Sequence, residues 1–282
     1  MAPSLTSKEF KLIQKFIQEK CGIAIGEEKA YLIESRLSKL LVDSNLSSFE
    51  ELYQKIAVGG DQGITEQVID ALTTNETLWF RDKTPFEIID NVLMPQYIKE
   101  LREGLKTSIR IWSAACSTGQ EPYSIAMCID NHLARKGIAD INLSNFRILA
   151  TDISKTVLQV ARMGRYDSIS IMRGMENGYR DRYFKNEGRV WCLDERIKSS
   201  VHFQQFNLQN SFVLMGKFDL ILCRNVIIYF SEQLKREVMV KIAGALNPDG
   251  KLIIGSSELF PDYRDYFILE QYNNGVYYRV KG

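Results

Sequence analysis

The residues most able to do chemistry sit where apolar runs end. In Ile109-Arg-Ile-Trp-Ser-Ala-Ala-Cys-Ser-Thr-Gly-Gln-Glu-Pro-Tyr-Ser-Ile-Ala126, a strand-like run passes through a tight loop of small residues into a helix. Ala114, Ala115, Ser117 and Gly119 let a ligand approach the backbone, and the helix N-terminus behind them offers N–H donors. Only Gly119 is a glycine, so this is not GxGxxG, and the loop alone reads equally as a structural turn. Glu121 narrows the ligand. A carboxylate suits the positive end of a helix but repels a pyrophosphate, so the loop suits a cationic ligand without phosphates.

Asp152 ends the next run, Arg147-Ile-Leu-Ala-Thr-Asp152. An acid at the carboxyl end of this strand is placed to grip a ribose diol; the competing reading is an N-cap for the helix from Ser154. Phe206-Asn207-Leu208 follows another apolar run, and Asn207 suits either an adenine edge or a turn. Phe218-Asp-Leu-Ile-Leu-Cys-Arg-Asn-Val-Ile-Ile-Tyr-Phe230 delivers Arg224, Asn225 and Tyr229 to the same edge. It lacks the [DN]PP[YF] sequence common in methyltransferases acting on nucleic-acid amines. Thr73-Thr-Asn-Glu-Thr-Leu-Trp-Phe-Arg81 offers Asn75, Glu76, Thr77 and Arg81 beside two aromatics, and by itself reads as an interdomain linker.

These stretches must be held by two kinds of architecture. Up to about residue 80 the pattern is helical. Thr6–Glu9 and Ser47–Glu50 have capping-box spacing, Cys21-Gly22 and Gly59-Gly60 are breaks, and apolar residues recur at helical intervals. From residue 109 the apolar runs 109–114, 146–151, 218–223 and 251–255 alternate with helical stretches near 121–135, 154–163 and 232–246. That predicts an α/β protein with a buried, mostly parallel sheet. Runs 266–272 and 276–280 flank Asn273-Asn274-Gly275, an antiparallel hairpin signal. The expected domains are 1–84, all-helical, and 85–282, with a small β-subdomain at about 183–200.

Composition excludes several classes. The 282 residues carry 36 basic and 35 acidic side chains, a net charge of +1, which gives no bulk electrostatic grip on nucleic acid. No apolar run approaches the roughly 20 residues of a membrane span, and the N-terminus has no signal-peptide layout. The five cysteines (21, 116, 128, 192 and 223) form no CxxC pair, and His132 and His202 lie far apart, so no metal site is expected. The chain reads as a cytoplasmic, monomeric protein, not membrane-inserted.

Taken in order, Thr73–Arg81, Trp112–Ser124, Ala150–Ile153 and Phe218–Phe230 closely resemble the CheR family of chemotaxis methyltransferases, from about residue 8 to the C-terminus. The resemblance implies a Rossmann-like class I methyltransferase sheet with a β-subdomain insertion and an all-α N-terminal domain. It implies transfer of the methyl group of S-adenosylmethionine to glutamate side chains on the cytoplasmic helices of chemoreceptors, leaving S-adenosylhomocysteine, with recruitment to receptor arrays. Implied cofactor contacts are Asn75, Thr77, Arg81, Glu121, Asp152, Asn207, Leu208, Arg224 and Asn225, with Arg81 and Tyr229 beside the transferred methyl. Leu78-Trp79-Phe80 and Gln120 depart from the family pattern. Competing functions are a methyltransferase with a nucleic-acid acceptor and a non-catalytic receptor-binding scaffold with a vestigial cofactor fold; a nicotinamide dehydrogenase is disfavoured by Glu121.

The chemistry fits the residue inventory. A glutamate carboxylate, with a reference pKa of about 4.3, is ionised at neutral pH and needs no general base to attack an activated methyl. Arg81 could hold that carboxylate by a charge-assisted bond. Residues 1–85 carry eight lysines and two arginines against thirteen carboxylates, so the region is not basic. Lys29, Arg36 and Lys39 nonetheless fall on one face of one expected helix, which the resemblance favours as the receptor-facing element. The insertion Lys185–Ser200 has one turn glycine, Gly188, and is shorter than in members that bind a receptor's C-terminal pentapeptide. The expectation is a protein that works without that tether.

Overall fold

In the computed structural model, which describes residues 4–281, local structure changes where the hydrophobic period changes. The first part is helical: α1 (Ser7–Cys21), α2 (Ala30–Asp43), α3 (Phe49–Tyr53) and α4 (Gln62–Leu72). Thr6 and Glu9 form the expected capping box. Thr6 Oγ1 accepts from the Glu9 N–H at 3.3 Å, and the Glu9 carboxylate accepts from the Thr6 N–H at 2.9 Å. Gly22, at φ 75°, ends α1. The second cap is shifted by one residue: Ser48 accepts from the Glu51 N–H, while the Glu51 carboxylate reaches back to the Ser47 N–H. Ile13, Ile17, Ile33, Leu37 and Phe49 have no exposed surface, so these helices own a core.

A helical stretch absent from the sequence reading follows: α5 (Thr84–Ile88), a π-helical turn (Ile89–Leu93) and α6 (Met94–Arg102). The inserted π turn breaks the 3.6-residue spacing by which a helix is recognised. The sheet region then runs β1 (Ile109–Ala114), α7 (Gln120–Arg135), β2 (Phe146–Asp152), α8 (Lys155–Met163), β3 (Arg165–Asp167), α9 (Ser168–Met172), α10 (Asn177–Tyr183), β4 (Phe184–Glu187), β5 (Val190–Leu193), α11 (Glu195–Ser199) and β6 (Val201–Gln205). It continues through β7 (Phe218–Cys223), α12 (Glu232–Ala245), β8 (Leu246–Ile254), β9 (Phe267–Tyr272) and β10 (Gly275–Val280).

Seven strands form one sheet in the order β6-β2-β1-β7-β8-β10-β9. The first five are parallel, and β10 runs antiparallel to both β8 and β9. The α/β sheet ending in an antiparallel hairpin is therefore present. Alternate residues of β1 serve two cores. Ile109 and Ile111 pack with α6 and α7, whereas Trp112 and Ala114 pack with α12. The hairpin loop is Asn273-Asn274, because Gly275 already pairs with Tyr272. Gly275 is needed for space instead: a Cβ there would lie 2.1 Å from the Thr84 methyl of α5.

The small sheet reaches further back than residues 183–200. It has three antiparallel strands in the order β3-β5-β4, so Arg165–Asp167 completes it from before α9. A three-residue strand carries too little periodicity to be read locally.

Candidate functional site

Parallel topology brings the carboxyl ends of β1, β2, β6 and β7 to one edge of the sheet, where crossover connections leave a crevice. A cleft with about 850 Å³ of empty space, counting its open mouth, lies there. Asn75, Thr77, Arg81, Glu121, Asp152, Asn207, Leu208, Arg224, Asn225 and Tyr229 all line it, although they span most of the sequence. Lys29, Arg36 and Lys39 do not.

Beyond β1 the backbone coils tightly, with Ala115 at φ 60° and Ser117 at φ 50°. Asp152, at the end of the neighbouring strand, anchors that coil. It is buried, accepts from the Ser117 N–H at 2.8 Å with one oxygen and from the Ser154 N–H at 3.0 Å with the other. Burial pushes the Asp152 carboxyl up from the usual aspartate range, and the backbone donors oppose this in part. Asp152 is not the N-cap of α8; that is Ser154, whose hydroxyl accepts from the Val157 N–H.

Glu121 opens α7 and is already partnered. One oxygen accepts from the Ser113 hydroxyl at 2.7 Å, the other from Arg224 Nη1 at 2.9 Å. Arg224 also donates to the Asp82 carboxylate at 2.7 Å and to the Arg81 carbonyl at 2.8 Å, with its side chain 1% exposed. Its Nε is buried without a partner among the described residues. Asn225, at φ 58°, begins a turn that hangs on a residue the sequence reading missed, Glu258. That buried carboxylate accepts from the N–H groups of Asn225, Val226, Ile227 and Gly255. Its position just past the end of the apolar run in β8 was the available signal.

The Thr73–Arg81 stretch packs and lines the cleft at once. Trp79 is fully buried, edge-on to Tyr166 and Phe184 of the small sheet at 4.9 and 5.3 Å. The departure from the family pattern at Trp79 is thus an anchor rather than a cleft residue. Asn75 accepts from the Ser117 hydroxyl through its carbonyl, and Arg81 donates to the Glu76 carbonyl at 3.1 Å.

One expectation needs correction. Lys29, Arg36 and Lys39 do not form one free helical face. Lys29 ends a 3₁₀ turn (Glu27–Lys29) before α2, and Arg36 is turned inward, donating to the carbonyls of Leu72 and Thr73 and to the Thr74 hydroxyl. Lys39 is exposed. Asn207 does hold a turn, as its type allowed, and its amide also bridges to the helical region. It donates to the Lys20 carbonyl at 2.7 Å and accepts from the Gln209 N–H at 2.9 Å. Tyr229 is fastened to the same region, its carbonyl accepting from the Ala24 N–H at 2.8 Å. The end of α1 therefore forms part of the cleft wall, through Cys21 and Ile23.

The donor set suits S-adenosylmethionine. The walls carry the carboxylates of Glu76, Glu121 and Asp152 against the guanidinium groups of Arg81 and Arg224, the latter held by Glu121 and Asp82, with no lysine among the lining residues, a set that can complement a cation. Asp152 keeps acceptor capacity for hydroxyls, and Arg224, whose Nε–H is buried without a partner among the described residues, is one of the lining residues. Among the described residues no helix is long and apolar enough to cross a membrane.

Residues 75–276 match the family described as CheR methyltransferase, SAM binding domain, and residues 8–73 match CheR methyltransferase, all-alpha domain. The chain is 42% identical to chemotaxis protein methyltransferase Cher2 of Pseudomonas putida over 275 residues, covering 97% of this chain and 98% of that one. It is 41% identical to chemotaxis protein methyltransferase 1 of Pseudomonas aeruginosa over 280 residues, 99% and 100% of the two chains. It is 40% identical to the chemotaxis protein methyltransferase of Vibrio parahaemolyticus over 283 residues, 99% of each. The chain belongs to the CheR family of S-adenosylmethionine-dependent chemotaxis methyltransferases.

Proposed function

We propose that this protein methylates glutamate side chains of chemoreceptors, forming methyl esters. The observation that carries the reading is the makeup of the cleft: Arg81 and Tyr229 share its wall, and no histidine or lysine lines it. His132 is buried elsewhere against Asp90, and His202 is exposed on β6. The lining carboxylates of Glu76, Glu121 and Asp152 are already hydrogen-bonded, and a cleft so arranged suits an acceptor that is already an anion.

Bound S-adenosylmethionine supplies an electrophilic methyl on a sulfonium centre. Asp152 accepts from the ribose hydroxyls, and Glu121 complements the cationic end while remaining paired to Arg224. Asn75, Thr77, Asn225 and Leu208 complete the cofactor walls, and Asn207 serves through the turn it holds. Arg81 keeps guanidinium donors free beyond its bond to the Glu76 carbonyl, so it orients the acceptor carboxylate. Tyr229, half-buried, lines the path of the methyl. Of the basic trio, Lys29 and Lys39 remain for the receptor.

Tether independence belongs to the same reading. Glu187 pairs with Val190, so the β4–β5 turn is two residues long and leaves no loop to clamp a peptide. Transfer of labelled methyl to a chemoreceptor cytoplasmic fragment, released as methanol by alkali, is the expected outcome. Alkali-stable label, or none, overturns the function; a micromolar dissociation constant for the pentapeptide overturns the tether reading.

A further inference from the structure

The segment carrying Arg81 is held by a clasp that the proposed chemistry does not use directly. Phe80, Asp82 and Lys83 have φ of 48°, 67° and 49°, so three of four consecutive residues sit in the left-handed region without a glycine among them. Such backbone persists only where the surroundings over-determine it. On the N-terminal side the segment is pinned by main-chain bonds, Trp79 N–H to the Arg173 carbonyl and Phe80 N–H to the Ser124 hydroxyl. Neither reaches Arg81. The group that does is Arg224, whose Nη2 donates both to the Arg81 carbonyl and to the Asp82 carboxylate while Nη1 is held by Glu121.

We propose that Asp82 is a positioning residue for Arg81, acting through Arg224. This rests on the reading of Arg81 as the acceptor-side residue. The Arg224 guanidinium is 1% exposed and fixed to β7 and α7, so it is a rigid post. Asp82, 36% exposed, is the side chain through which the strained turn grips that post. Without its carboxylate Arg224 keeps Glu121, and of its two bonds to Arg224 the turn keeps only the one at the Arg81 carbonyl, beside its internal Lys83 N–H to Phe80 carbonyl bond and the exposed Lys83–Glu176 pair, neither of which touches Arg81. The turn then relaxes toward ordinary backbone, and Arg81 moves off the cleft wall. The cofactor grip, centred on Asp152, is elsewhere.

The test is a double-mutant cycle on methyl transfer to a receptor cytoplasmic fragment, with S-adenosylhomocysteine affinity measured in parallel. Asp82→Ala should lower kcat at least tenfold while changing S-adenosylhomocysteine affinity less than about threefold. Asp82→Asn, which still accepts a hydrogen bond from Arg224, should recover part of the rate. Adding Asp82→Ala to Arg81→Ala should cost less than about twofold, because the residue it positions is already gone. Independent, multiplying losses would overturn the proposal, as would an unchanged rate in Asp82→Ala. If Arg81→Ala alone transfers normally, the reading of Arg81 falls and this proposal with it. Should Asp82→Ala lose its fold, judged by lost S-adenosylhomocysteine binding, Asp82→Asn takes its place in the cycle under the same criterion of non-multiplying losses.

Discussion

The two sides of the cleft are built by different means. The sheet side uses buried carboxylates that gather backbone N–H groups: Asp152 holds the coil after β1, and Glu258 holds the turn after β7. The linker side, residues 73–83, hangs on long side chains from elsewhere, with Arg36 reaching its start, Arg224 its end and Trp79 buried between. Strand ends in a closed ladder have few ways to move, so a short acidic side chain suffices to lock them. A linker has no ladder and needs bonds from several directions. The side proposed to grip the ribose through Asp152 is thus built into the scaffold, and the side that carries Arg81, with Asn75 and Thr77 as proposed cofactor contacts, is assembled onto it.

The most severe break should come from the sheet side. Glu258→Ala leaves four N–H donors, two buried and two part-buried, without their acceptor, and the loss of stability should be on the order of 3 kcal/mol. Chemical denaturation would measure it; a midpoint close to that of the parent protein would mean the turn has another support.

Asp152→Ala should cost about 1–3 kcal/mol of S-adenosylhomocysteine affinity, the scale of leaving buried hydrogen-bonding groups unpaired. Calorimetry on the folded variant tests this, and unchanged affinity would remove Asp152 from the cofactor grip. The same residue makes a signed pH prediction. Its folded pKa is raised, chiefly by burial, so its contribution to stability is fully present below the ordinary aspartate value near 3.9 and is lost as pH rises through the folded pKa. The parent protein should therefore gain stability relative to Asp152→Asn as pH is lowered through that window; a gap that narrows instead contradicts the burial argument.

The smallest expected effect separates the basic residues of the helical region. Arg36→Ala should weaken cofactor binding by about 1–2 kcal/mol, since it frees the start of the linker. Lys39→Glu should leave that affinity alone and reduce receptor methylation a few-fold. If Arg36→Ala binds cofactor normally, the linker does not depend on α2.

What could be read without coordinates was what neighbouring residues encode. The Thr6–Glu9 cap, the amphipathic period of α1 and α2, the buried runs of β1, β2 and β7 and the terminal hairpin each lie within a short window, where the 3.6- and 2-residue repeats act directly. Asp152, Arg224 and Asn225 were legible too, because strand ends in a parallel sheet must converge whatever the loops do, whereas Asn75, Thr77, Arg81 and Leu208 were pointed to only by the family resemblance. Tertiary structure alone decided the partners of long or isolated side chains. Arg36 joined the linker rather than an open face, Asn207 bridged to the end of α1 while lining the cleft, and the partners that made clasps of Glu258 and Asp82 lie far from them in sequence. The small sheet took its third strand from β3, across two helices. A repeat is set by the geometry of its own backbone, whereas a flexible side chain chooses among all groups that folding brings within a few ångströms, and that choice is not written in its neighbours.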